Sequence, residues 1–228
     1  VPDWLSEQRG RGRLPGGAAG VLEARQLSER FRSLVAVLDG LGEERLEPAA
    51  AAGLEGTLPW RGEQLVLAHT ATAGPGQRLE LWLALLLASA AGQAPRRAVL
   101  VARDKHRFRI LESLVPLGPA EAHEQLEQLQ RLREQHRSHC WPVPPRSGWA
   151  WAEAEQRKAG SGFKEAAKAW EGGFAGAGER EDAVMAVCFG AGLSGRELVD
   201  GRFCGAAEAL LGPLLERRRV EKADSSQR

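Results

Sequence analysis

LVLAHTATAGPGQRLELWLALLLAS, residues 65–89, decides how this chain folds. Leu65, Val66 and Leu67 form an apolar run of strand type, and Gly74-Pro75-Gly76 makes a turn. The segment that follows carries too many apolar residues for a one-sided helix. Leu79, Leu83, Leu86 and Leu87 spread around a wide face with Trp82 beside it, so a helix over 77–91 is expected to be buried on several sides. Downstream, RAVLVARDKHRFRILESL (97–114) reads as a strand, a tight turn near Asp104-Lys105 and a second strand. Upstream, RLEPAAAAGLEGTLPWRGEQLVLAHTA holds three short strand-like pieces at 44–50, 53–58 and 63–70, read as an antiparallel meander.

Outside this region the pattern is mostly helical. Val21, Leu22, Leu27, Phe31, Leu34 and Val35 have helical spacing over 21–38. The charged stretch 119–138, with Leu126, Leu129 and Leu132 on one side, predicts a solvent-facing helix. CWPVPPRSG (140–148) predicts a rigid connector. Beyond it, Phe163, Ala166, Ala167 and Trp170 form one helical stripe, and Phe203, Ala207, Leu210, Leu211 and Leu214 another, with a kink at Gly212-Pro213. The expected class is α/β (α+β): a small mixed sheet flanked by helices, with a helical C-terminal part. Residues 1–20 (RGRGRLPGGAAG within them) read as an extended lead-in, 21–139 as the sheet-and-helix core, 140–220 as connector and helices of the same domain, and 221–228 as a disordered tail.

The composition is that of a globular protein, with 43% hydrophobic and 27% charged residues. A net charge of +1 does not by itself announce a nucleic-acid partner. The longest uncharged apolar run, Leu81 to Ala91, is too short to span a bilayer, so no membrane partner is expected. VPDWLSEQRG lacks the charged-then-apolar order of a signal peptide and lacks an initiator Met, as expected of a piece of a longer chain. Cys140, Cys188 and Cys204 are sparse and odd in number, which fits a reducing cytoplasm rather than a disulfide framework.

Several short patterns carry possible chemistry. Gly190, Gly192 and Gly195 form G-x-G-x-x-G, the spacing that admits a pyrophosphate to a helix N-terminus. AVMAVCF before it reads equally as a helix starting near Asp182 and ending at Gly190, and no second βαβ unit follows. His136, His139 and Cys140 are metal-ligating types, but a structural zinc needs four ligands, and no metal is expected. Arg96, Arg97, Arg103, Lys105, Arg107 and Arg109 cluster around the second hairpin, with Phe108 on the opposite strand face from Arg107 and Arg109. They are candidate contacts to a phosphate backbone, and equally the solvated side of a surface hairpin. Trp141, Trp149 and Trp151 gather around the Pro-rich connector and are candidate partner-interface anchors, although tryptophan is more often core.

RGRLPGGAAG (11–20), LEGTLP (54–59), QRLELWLALLLASAAG (77–92), REQHRSHCWPVPPRSGWAWAEA (133–154) and FKEAAKAWEG (163–172) together resemble the C-terminal region of the RecC family, the gamma subunit of exodeoxyribonuclease V (RecBCD). GEREDAVMAVCFG (178–190) and RFCGAAEALLGPLLE (202–216) continue the same order. The resemblance implies an inactivated nuclease domain of the PD-(D/E)XK class, which holds the RecB and RecD subunits, guides DNA (a duplex end or a single strand) and takes part in Chi recognition. It implies no cofactor in this chain, with ATP and Mg²⁺ used through other subunits of the helicase-nuclease.

Active members of that nuclease class end one strand near an Asp and the next in Asp/Glu-x-Lys, the acids holding Mg²⁺. Aligned by eye, Pro59 stands at the first acid, Ala68 at the second and Thr70 at the Lys, while Gln77 remains at the helix start. No Asp, Glu or Lys lies between Leu65 and Arg78. The expected function is a non-catalytic scaffold acting in double-strand-break repair and recombination. The alternatives are a metal-dependent nuclease rearranged around Glu55, Glu63 or Glu80, and a nucleotide-binding module on GAGLSG.

Overall fold

A computed structural model describes residues 2–173, 176–190 and 192–221. Helices α1 (Pro2–Gly10) and α2 (Gly17–Asp39) come first. Strands β1 (Glu44–Ala51), β2 (Leu54–Arg61) and β3 (Gln64–Ala68) follow as consecutive antiparallel neighbours. The β1–β2 turn is two residues long, and both Ala52 (φ 50°) and Gly53 (φ 71°) take the left-handed conformation that such tight hairpins require. Helix α3 (Pro75–Ala90) then crosses over, and β4 (Arg97–Asp104) returns parallel to β3, the arrangement for which a helical crossover is needed. Strand β5 (Arg107–Leu114) pairs antiparallel with β4.

After the sheet come α4 (Pro119–Gln135), α5 (Pro145–Arg157) and α6 (Gly162–Glu171). A two-residue ribbon follows, β6 (Gly172–Gly173) with β7 (Gly176–Ala177). The chain continues through a 3₁₀ turn (Glu179–Glu181), α7 (Ala183–Phe189), α8 (Gly195–Leu198) and α9 (Gly201–Arg217). Strand β8 (Arg218–Val220) closes the edge of the main sheet against β5. The order across that sheet is β1-β2-β3-β4-β5-β8.

The sheet buries both faces, which is why β4 is a continuous apolar run. On one face Val66, Val99 and Val101 meet Leu34, Val37 and Leu38 of α2. On the other, Trp60, Leu65, Leu100 and Leu114 join α3, and one cluster extends from there through Trp149 of α5 and Phe203 of α9 to Leu215. Leu81, Trp82, Leu85 and Leu86 of α3 are almost wholly buried in it, whereas Leu83 remains 44% exposed. The buried side of α3 is thus centred on Trp82 and Leu85, rotated about the helix axis from the expected stripe, of which Leu86 and Leu87 are buried.

The mixed sheet flanked by helices agrees with the sequence reading, and four local expectations are corrected. The supposed lead-in 1–20 contains α1, because DWLSEQ are ordinary helix formers and Pro2 sits in the first turn, where its missing N–H costs nothing. Half of the supposed rigid connector is helix, since Pro145 starts α5 for the same reason. Phe163 is exposed while Ala166 and Trp170 are buried, so the α6 stripe is narrower than its spacing implied. The 119–138 helix is not simply solvent-facing: Ala122 and Leu126 are buried against α3. Of the expected disordered tail 221–228, Glu221 is held to Arg97 and Ser113, and residues 222–228 lie outside the described residues.

Candidate functional site

The positions singled out for nuclease chemistry lie along β2 and just past β3. Pro59 pairs with Leu46 of β1, flanked on its own strand by buried Leu58 and Trp60. Ala68 is the exposed last residue of β3, and Thr70 lies beyond the strand end. Gln77 is occupied as a capping group: its Oε1 accepts from the Gly74 N–H at 2.8 Å, closing the first turn of α3. Between Ala68 and Thr70, His69 places Nε2 3.4 Å from Glu80 Oε2. That is a single histidine–carboxylate contact. Glu55 and Glu63 cannot join it as one metal site, because Glu55 lies near the start of β2 and Glu63 in the turn beyond its other end, with roughly 20 Å of extended strand between Glu55 and Arg61. Among the described residues no three His, Cys, Asp or Glu side chains come together as metal ligands.

The densest charge cluster was not visible in the sequence. Glu112 of β5, with its side chain only 3% exposed, lies between Arg78 of α3 (2.7 Å) and Arg218 of β8 (2.5 Å). Arg218 also reaches Glu153 of α5 at 2.6 Å. Both guanidinium groups lie over the Trp149 ring, at 4.7 and 5.0 Å from its centroid. Burial lowers the Arg78 pKa against the opposing pull of Glu112. Burial also pulls Arg218 down, but its bond to Glu153 and the charge of Glu112 outweigh this and raise it. Two cations and two anions neutralise one another, so the cluster ties α3, α5, β5 and β8 together with no group free to attack or coordinate.

GAGLSG does not form a nucleotide site. The segment before it is helix α7, capped by Asp182, whose carboxylate accepts from the Val184 and Met185 N–H groups. The strand required by the dinucleotide motif is absent there. Gly195 is a packing glycine: an added Cβ would stand 2.7 Å from Ala167 of α6. Its N–H already donates to Glu171, and the Trp170 indole donates to the Leu193 carbonyl.

His136, His139 and Cys140 are also dispersed. His136 stands edge-on to Trp141 at 4.5 Å, and His139 shares a contact with Ser138. Cys140 instead meets Cys188 of α7, whose pKa is raised by the thiol hydrogen bond between them.

The structure divides the basic ribbon. Arg97 bonds to Gln64 and Glu221, and Arg109 bonds to Asp104 and the Glu221 carbonyl. These two are structural. Arg103, Lys105 and Arg107 gather near the β4–β5 turn without a carboxylate partner among the described residues, while Arg96 stands at the far end of β4. Facing the turn, Arg32 of α2 joins His106 and Arg107 around an open cleft of about 750 Å³, which Glu29, paired with Arg25, also lines. Arg32 and His106 had no sequence signal, because a helix and a hairpin tip distant in the chain meet only in the fold.

The tryptophans divide as well. Trp149 and Trp151 are 8% and 9% exposed, so they are core residues and not surface anchors. Trp151 stacks edge-on with Phe203. Trp141 is partly buried against the core and lines an apolar groove of about 490 Å³ between α3 and α4, bordered by Leu79, Leu83, Leu129 and Leu132.

The profile of one known family, described as the RecC C-terminal domain, matches residues 1–156. The chain belongs to the RecC family. It is therefore part of a subunit of exodeoxyribonuclease V, the RecBCD complex. No curated protein matches the chain. The RecC match takes in the first five strands and ends inside α5. The segments 163–172, 178–190 and 202–216 lie beyond it, yet Arg218 and β8 complete the RecC sheet and its buried charge cluster. No helix among the described residues is long and apolar enough to cross a membrane.

Proposed function

We propose that this chain is a non-catalytic scaffold and DNA-guiding domain of RecC, built on a nuclease-like frame that has lost its acids. It acts in double-strand-break repair and recombination in the cytoplasm, held to RecB and RecD. The observation that carries this reading is the strand–turn–helix unit at 65–89, which keeps its frame and has no Asp, Glu or Lys from Leu65 to Arg78. Without acids, Mg²⁺ has no hard oxygen ligands at that position. ATP and Mg²⁺ are then the business of other subunits, and this chain needs neither. The buried cluster around Glu112 supports the scaffold role, since it joins four elements into one stiff body. For DNA, the free cations Arg103, Lys105, Arg107 and Arg32 at the β4–β5 tip support a backbone contact, in which phosphates are read by charge and not by sequence.

Co-expression with the cognate RecB and RecD tests the scaffold reading. Retention of either subunit on the purified chain is the expected result. Retention of neither, with the chain folded, moves the partner surface out of this domain and overturns the reading.

A further inference from the structure

We propose that the groove between α3 and α4 docks an amphipathic helix from a partner subunit, one that carries carboxylates beside its apolar anchors. This rests on the scaffold reading above. The groove lies between two helix surfaces. Leu79 and Leu83 form one wall, a turn apart on α3, and Leu129 and Leu132 the other, three residues apart on α4. From Leu126 to Arg133 the α4 wall runs about 10 Å, enough for two turns of a docked helix, which is the i, i+3/i+4 mode of groove recognition. Leu83 is 44% exposed, an apolar side chain left without cover beside an otherwise buried helix.

Charge selects the occupant. The ionisable side chains lining the groove are Arg133 and His136, and no Asp or Glu lines it. On the same helix Arg131 pairs with Glu127, and just past its end Arg137 pairs with Glu134, whereas Arg133 has no carboxylate in reach among the described residues. An incoming helix with an Asp or Glu next to its apolar ridge would supply the missing anion at Arg133. A second copy of this chain meeting through the same face fits badly, because that face lines the groove with no Asp or Glu to answer Arg133.

The test uses the full chain co-expressed with the cognate RecB and RecD. A photo-crosslinking residue, p-benzoylphenylalanine, replaces Leu83, an exposed position whose change spares the core. The expected crosslink maps to a partner segment with apolar residues at i, i+3/i+4 and adjacent Asp or Glu. Arg133→Glu is expected to weaken retention about tenfold, the loss of one charge-assisted contact. Retention of the partners without a crosslink, or a crosslink to a second copy or to a segment without acids, overturns the groove and leaves the scaffold reading standing. Failure to retain any partner overturns both. Unchanged retention in Arg133→Glu removes the charge argument.

Discussion

Glu112 shows how much one side chain can hold. It is buried with two arginines, and removing it leaves Arg78 over Trp149 without its carboxylate while Arg218 keeps Glu153. Breaking a buried pair from one side costs more than the pair is worth in isolation, about 3–5 kcal/mol. Glu112→Ala should therefore lower the unfolding free energy of the isolated chain by that amount in a urea titration. An unfolding free energy within about 0.5 kcal/mol of the parent would show the cluster to be solvated. Asp200 gives a pH-dependent case. Its carboxylate accepts from the Phe203 N–H at the start of α9, which lowers its pKa, with Arg202 adding to the shift. A depressed folded pKa means the cap contributes fully above the ordinary aspartate value and fades as pH falls through the lower, folded one. NMR titration of the Asp200 carboxyl should give a midpoint below that of an unstructured aspartate, with Phe203 amide protection falling in the same range. A midpoint at or above the ordinary value would remove the cap from the account. Neither partner of Glu112 was legible in the sequence: Arg218 is 106 residues away, and nothing local marks the two as a pair.

Strands and hairpins were the most legible elements, since period-two patterns and tight turns are local signals. Helix starts at prolines were the least legible, because the same residue that opens α5 also reads as a connector. The basic ribbon was legible as composition but not as a surface. Two of its members, Arg97 and Arg109, are held by Glu221 and Asp104, while Arg32 entered from α2. The β4–β5 tip therefore gives a prediction that the ribbon alone could not. Arg103→Ala, Lys105→Ala and Arg107→Ala should each weaken binding to any DNA sequence and reduce the salt slope of binding by about 1. Arg97→Ala and Arg109→Ala should leave the slope unchanged. Filter binding across a salt series measures both sets, and equal slopes for all five would rule out the tip as the contact.

In the sequence, Pro59, Ala68 and Thr70 stand where the resemblance would put two acids and a Lys. What the fold adds is that the alternative acids do not gather: Glu55 lies near the start of β2, Glu63 in the turn beyond its end, and among the described residues Glu80 has an ionic contact with His69 alone. The groove beside Trp141 was hidden, because its walls come from two helices whose outward leucines look alike in sequence whether covered or bare. The central claim is that a RecC chain with this frame holds partners and cleaves nothing. A cleavage assay of the purified chain on single-stranded and duplex DNA with added Mg²⁺ tests it most directly, with Glu80→Ala as the companion. The account predicts no cleavage above buffer for either protein. Mg²⁺-dependent cleavage that Glu80→Ala abolishes would contradict it and restore an active site to this domain.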